Sequence, residues 1–238
     1  MNRGCKLDKC LAEIDSLRAG KDVDVGTLEA ECIALLKHYT SPENKGKIFA
    51  AIAFIYAQNK VKLPEKIIHY CRESLKYPLP VTTAGQMYIF GADALQIQYQ
   101  SSKEQNFSSV GKAIIKLCLN GLKLVLDNLT ISVPQRVSYL GKFDHPGPEN
   151  DLLYKKILRQ HNDESESREK ALFQNKLLEY YNVLINKCVI IYSQQPYSKD
   201  ELHQFAVEIF KDDDAANKII NEIKASVISN DYPCQDFD

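Results

Sequence analysis

Apolar residues recur every three or four positions along most of this chain, which is the spacing that places side chains on one face of an α-helix. Residues 25–39 give a clear case, with one stripe formed by Leu28, Cys32, Leu35, Leu36 and Tyr39. No segment sustains the period-two alternation of a half-buried strand. The pattern therefore predicts an all-α fold.

Helix start signals divide the chain into separate predicted helices. Ser41 is a favourable N-cap and Pro42 suits the first helical position, so a helix is predicted to begin there. Thr82 or Thr83 is predicted to cap a later helix. Ser198 and Glu201 form a capping box. The predicted helices cover residues 5–19, 25–39, 42–58, 64 to about 77, 81–100, 109–127, 151–160, 171–192, 198–210 and 213–228.

Two segments interrupt this helical pattern. Residues 128–150 contain three prolines, two glycines and scattered β-branched residues, which predicts an irregular connector. The charged run 162–170 is either the start of the helix that follows, capped by Asp163 or Ser165, or the exposed middle of a longer helix. These boundaries predict three regions, namely residues 1–127, the connector 128–150, and a C-terminal helical region 151–230 that packs on the first.

The charge balance argues against a nucleic-acid-binding protein. The chain has 30 Lys and Arg against 31 Asp and Glu, whereas duplex binding generally requires a basic face. No apolar run approaches the roughly 20 residues needed to span a bilayer, so no membrane partner is predicted. The first ten residues lack the hydrophobic core of a signal peptide. We therefore expect a cytoplasmic protein, although a chain that had lost its leader would look the same.

The seven cysteines are widely spaced and form no C-x-x-C motif. Most lie inside apolar helical stripes, where a free thiol behaves as a small hydrophobic group. We therefore expect reduced, buried thiols rather than disulfides or a zinc site. No glycine-rich phosphate loop occurs either, so no metal or cofactor is predicted.

Paired helices with small residues at matching positions indicate an internal repeat. In the first unit the pattern is Phe49, Ile52, Ala53 and Tyr56 on one helix, then Ile67, Cys71 and Ser74 on the next, closed by Pro78 or Pro80. In the second unit it is Met87, Phe90, Gly91 and Ala94, then Ala113, Leu117 and Asn120. Residues 43–127 thereby resemble a degenerate tetratricopeptide-repeat (TPR-like) protein, although 38 residues separate Ala53 from Gly91 where about 34 are usual.

The resemblance implies stacked antiparallel helix hairpins that form a short right-handed superhelix, followed by a C-terminal helical segment. It also implies a non-enzymatic scaffold whose first helices line a concave face that binds a segment of a partner protein. Carried over to this sequence, that face comprises Ala50, Phe54, Ala57, Gln58, Tyr88, Ala92, Leu95 and Gln96. The set is apolar and aromatic, which favours an apolar or helical partner segment. In the alternative interpretation, the helices of residues 151–193 fill this face.

Two other functions stay open at this point. The long helix of residues 165–193 could pair between chains, giving a structural or assembly protein that forms a homo-oligomer. A helical-bundle enzyme could instead use His145, which lies in a loop beside Asp144.

Overall fold

The computed structural model describes residues 24–59, 62–101, 107–130, 165–194 and 199–229. Within these ranges the chain forms eight α-helices and no strand, which confirms the all-α prediction. The helices are α1 (Val25–Leu36), α2 (Pro42–Gln58), α3 (Pro64–Ser74), α4 (Val81–Ser101), α5 (Phe107–Asn128), α6 (Ser165–Gln194), α7 (Lys199–Phe210) and α8 (Asp213–Ser229). Predicted helices 5–19 and 151–160 lie outside the described residues, as does most of the predicted connector.

The chain divides into two compact units, and the boundary between Leu117 and Cys118 lies inside α5. In the first unit α3 packs against both α2 and α4, α2 also contacts α4, and α1 packs on α2. Ala53 and Ser74, predicted to be small residues at helix crossings, are completely buried. A methyl group on Gly91 would lie 3.5 Å from Leu117 Cδ1 and 3.7 Å from the Cβ of Cys71. Gly91 therefore lies in van der Waals range of both neighbouring helices.

The caps explain where several helices begin. The Ser41 hydroxyl accepts a hydrogen bond from the Asn44 amide at 3.3 Å, so the predicted start of α2 is confirmed. The prediction that Thr82 or Thr83 caps α4 is wrong. The carbonyl of Pro80 already accepts from the Ala84 amide at 2.9 Å, so α4 begins at Val81 and includes both threonines in its first turn.

In the second unit α8 packs against both α6 and α7. The 30-residue α6 carries a long apolar stripe, and its members Leu177, Leu184, Ile185, Cys188 and Val189 have no exposed surface. Because this stripe is buried in the folded chain, pairing of α6 between chains through the same stripe would require those side chains to leave the core.

A buried glutamine of α6 completes the end of α5. The Gln174 Oε1 accepts from the Thr130 amide at 2.8 Å, and its Nε2 donates to the Asn128 carbonyl at 3.2 Å. Backbone groups at a helix end lack partners within the helix and require such a ligand when buried. The Gln174 side chain therefore caps the C-terminal end of α5 from a distant position in the sequence.

Candidate functional site

The predicted partner-binding residues lie on α2 and α4, and the structure buries half of them. The buried members are Ala50, Phe54, Ala92 and Leu95. Ala57, Tyr88 and Gln96 are half-buried, and Gln58 is exposed. Only the half-buried and exposed members of this set therefore offer surface to a partner. The Phe54 ring packs inward, with its centre 6.0 Å from that of Phe90.

A polar cluster joins α1 to α2 and α3. Both oxygens of the Glu29 carboxylate accept hydrogen bonds from phenols, Oε2 from Tyr56 and Oε1 from Tyr70, each at 2.5 Å. The Lys66 ammonium lies 2.8 Å from Glu29 Oε1 and also lies over the rings of both tyrosines. Three donors from two helices thus converge on one carboxylate of a third helix.

The hydrogen bonds of this cluster favour the charged form of Glu29. Burial alone would raise the pKa of Glu29, but the hydrogen bonds from Lys66, Tyr56 and Tyr70 outweigh it and hold the pKa below its usual value. Burial, followed by the adjacent carboxylate, raises the pKa of both tyrosines well above the ordinary range. A charged Glu29 facing two protonated phenols is a poor general base at neutral pH, because its proton affinity has been lowered.

Aromatic rings extend this cluster along α2 and α3. The Tyr56 and Tyr70 rings are nearly parallel, with centres 6.2 Å apart, and Phe49 stacks on Tyr70 at 6.3 Å. Tyr77 continues the row, 6.0 Å from Phe49. The Tyr56 and Tyr70 side chains are thus buried, and their hydroxyls reach the Glu29 carboxylate.

A groove of about 430 Å³ runs along the outer side of α3. Its α3 side chains recur at positions three and four apart, so they form one face of the helix. Leu95 and Gln98 of α4 complete the lining. Ile68 and Leu95, both nearly buried, supply the apolar floor. We call this the α3–α4 groove, and its lining residues are Glu65, Ile68, His69, Arg72, Glu73, Lys76, Leu95 and Gln98.

The charges of the α3–α4 groove are arranged unevenly. Glu73 forms an ion pair with Lys76 at 2.5 Å, and this contact holds the pKa of the Glu73 carboxyl below its usual value. Glu65 and Arg72 form no ion pair or hydrogen bond with any residue that the structure describes. Among the residues that the structure describes, the groove therefore presents one anion and one cation that no opposite charge pairs with.

The structure describes some of the other candidate residues but not all of them. His145 lies outside the described residues, so the enzyme alternative gains no geometry. His69 lines the α3–α4 groove whereas Cys71 is buried, because residues two apart on a helix point to different sides. Within the described part of the chain, no three His, Cys, Asp or Glu side chains are grouped to hold a metal ion. No helix there has the length and apolar character needed to cross a membrane.

The four described cysteines are free and buried, as predicted. Burial raises the pKa of Cys71 to about 12. A hydrogen bond with Cys118, then burial, raises the pKa of Cys188 as well. Both thiols therefore stay protonated and poorly nucleophilic at neutral pH.

Comparison with known proteins assigns the chain to no family. No family model matches it, and neither the curated proteins nor the solved structures include a significant match. The tetratricopeptide resemblance thus stays a hypothesis based on residues 43–127.

Sequence reasoning missed both Glu29 and the α3–α4 groove. Leu28 belongs to the inward stripe of α1, and Glu29 is the next residue in the chain. An acidic residue at the edge of an apolar helix face could have indicated a partly buried carboxylate with polar partners. The groove had a weaker one, since Glu65 and Arg72 lie seven residues apart and hence on the same face of a helix.

Proposed function

We propose that this chain is a non-enzymatic protein-interaction module that binds a segment of a partner protein on the face formed by α2 and α4. The partner-facing residues are Ala57, Gln58, Tyr88 and Gln96, which are the members of the predicted face that keep accessible surface. The remaining four are buried, and one of them, Phe54 of α2, packs against Phe90 of α4.

The packing of the first unit carries this proposal. Because α3 packs on both α2 and α4 while α2 contacts α4 directly, α2 and α4 lie side by side, which is the arrangement we propose for the first helices of two successive hairpins. In helical-repeat stacks this arrangement produces a continuous surface for a partner. The half-buried Tyr88 adds an aromatic ring to that surface, and aromatic residues are enriched at interaction sites. The TPR-like interpretation of these hairpins belongs to the same proposal.

Photocrosslinking at defined positions tests the proposal. A benzophenone amino acid is placed at Gln58 or at Gln96, in cells that express the chain, with Lys45 of α2 as the control position. Lys45 lies thirteen residues before Gln58, which places it about 140° away around the helix. We expect the same partner to be crosslinked from both test positions and not from Lys45. Equal crosslinking from Lys45, or none from either test position, would refute the proposed face.

The captured partner then allows an affinity measurement. Tyr88→Glu should weaken binding by tenfold or more, equivalent to about 1.4 kcal/mol, because it places a charge in the apolar contact. Gln86→Glu is the matched control, since Gln86 precedes Tyr88 by two residues and so points to the opposite side of α4. Its affinity should stay within twofold of the unchanged chain.

A further inference from the structure

The chemistry of the α3–α4 groove defines a second binding surface. Glu65 and Arg72 are seven residues apart on α3, which corresponds to about 10.5 Å along the helix axis. Both side chains belong to exposed residues and line the groove. Between them, Ile68 and Leu95 form an apolar floor, each with less than a tenth of its surface exposed.

The remaining charges leave this dipolar pattern intact. The ammonium of Lys76 and the carboxylate of Glu73 compensate each other through their ion pair. The His69 and Tyr70 rings are inclined at 68° with their centres 4.9 Å apart, and His69 also lines the groove. An anion at one end and a cation at the other are thus separated by an apolar step.

We propose that the α3–α4 groove binds an amphipathic helical segment of a partner protein that carries a basic and an acidic side chain two turns apart, with leucine-like side chains between them. The basic group pairs with Glu65, the acidic group pairs with Arg72, and the apolar side chains cover Ile68 and Leu95. On such a segment the three contacts fall at positions i, i+3 or i+4, and i+7, which share one helix face.

A partner segment fits this surface better than a second copy of the chain. The surface is concave, so its occupant must be convex, and two identical grooves related by a two-fold axis would face each other across a gap. The apolar floor is also small, because both of its side chains are already nearly buried. A stable homodimer interface usually buries well over roughly 1,000 Å². This binding surface does not depend on the α2–α4 face proposed above.

Three designed peptides test the charge pattern directly. Each is a fluorescein-labelled, helix-stabilised peptide with leucines at i+3 and i+4, and they differ only at positions i and i+7. One carries Lys and Glu, one carries two Lys, and one carries two Glu. Reversing the direction of the first peptide does not alter the test, because the other two cannot satisfy both ends of the groove in either direction.

Fluorescence anisotropy at low salt gives the dissociation constants. The unchanged protein should prefer the Lys/Glu peptide by about fivefold for each mismatched charge, the upper range for exposed ion pairs. Arg72→Glu should transfer the preference to the two-Lys peptide, and Glu65→Arg should transfer it to the two-Glu peptide. Because both side chains belong to exposed residues, the helical content of the variants should match that of the unchanged chain by circular dichroism.

Several results would overturn the proposal. Equal affinity for all three peptides would do so, as would no binding at about 1 mM or a preference that both substitutions leave unmoved. Loss of binding in Tyr88→Glu, with both charge variants behaving as the unchanged protein, would place the peptide on the α2–α4 face instead. That result would refute this groove and leave the proposed function standing.

Discussion

Gly46 lies so close to Tyr77 that a methyl group on its Cα would come within 2.9 Å of the Tyr77 Cβ. The same methyl group would lie 3.2 Å from the Pro78 carbonyl oxygen. Glycine is therefore required in this turn of α2 because the segment after α3 crosses directly over it. This close approach fixes the exit of the first hairpin against its own first helix.

Gly46→Ala should destabilise the protein. Overpacking of this kind costs about 1–3 kcal/mol, partly offset by the roughly 1 kcal/mol that alanine gains over glycine in a helix. Gly91→Ala is the control, because its methyl group would meet neighbours at 3.5 Å and 3.7 Å, ordinary contact distances. Urea denaturation should therefore show a lower midpoint for Gly46→Ala and an equal or higher one for Gly91→Ala. Equal losses in both variants would contradict the contact.

The Glu29 cluster should make stability depend on acidity. Its hydrogen bonds hold the folded pKa of Glu29 below its usual value, so the carboxylate contributes stability above the unfolded pKa. That contribution is lost as the pH falls through the lower, folded pKa. Glu29→Gln should reduce the free energy of unfolding at pH 7 and flatten its decline below about pH 4.5. A variant whose acid decline parallels that of the unchanged protein would count against this role.

The phenol hydroxyls of that cluster can be tested separately. Tyr56→Phe removes a donor to a charged acceptor, which should cost about 1.5–3 kcal/mol. Tyr77→Phe is matched to it, because Tyr77 belongs to the same aromatic row and its hydroxyl has no hydrogen bond to a described residue. Thermal denaturation should leave Tyr77→Phe close to the unchanged protein. If both variants lose the same stability, ring packing rather than the hydroxyl is responsible.

Lys211 occupies a left-handed backbone conformation, with φ of 56°, between α7 and α8. Glycine adopts this conformation without the penalty of a side chain. The left-handed conformation costs a residue with a side chain about 1–2 kcal/mol, and the greater freedom of glycine in the unfolded chain offsets about 0.5–1 kcal/mol of this. Lys211→Gly should therefore raise the free energy of unfolding by up to about 1 kcal/mol. Lys218→Gly, in the exposed part of α8, should instead lower it by about 1 kcal/mol. A loss of stability in both variants would show that the Lys211 side chain is itself required.

Thiol labelling tests the burial of the cysteines. In a chain with Cys5, Cys10 and Cys234 replaced by serine, only the four buried thiols remain. Because a thiol reagent attacks the thiolate and must reach it, Ellman's reagent at pH 8 should label none of them on the minute timescale. All four should react in 6 M guanidinium. Rapid labelling of the folded chain would show that at least one helix interface opens readily.

The helices could be predicted from the sequence because their signals are local. The Ser41–Pro42 start and the apolar stripe of α1 depend on residues within a few positions of each other. The structure confirms that start and the inward positions Leu28, Cys32 and Leu35. The predicted helix is too long, because α1 ends at Leu36 and does not include Tyr39. Glu29 and Gly46 could not be assigned in this way. Their roles are set by Tyr70 and Tyr77, which lie 41 and 31 residues further along the chain.

The candidate surfaces were less predictable for the same reason. The tetratricopeptide resemblance placed Phe54 and Tyr88 on one face, but the number of side chains left accessible depends on packing that no pattern encodes. Phe54 is buried, whereas Tyr88 is only half-buried. Periodicity assigns a residue to a side of its helix, and only the neighbouring helices decide whether that side is open.

The cap that Gln174 provides for α5 also bears on how the chain acquires its structure during synthesis. The Asn128 carbonyl accepts a hydrogen bond from the side chain of Gln174, which lies 46 positions further along the chain. At about 5–20 residues per second, several seconds pass after Asn128 is made before Gln174 leaves the peptidyl-transferase centre. During that interval water takes the place of Gln174 at the Asn128 carbonyl, so nascent chains ending before residue 174 should fray there.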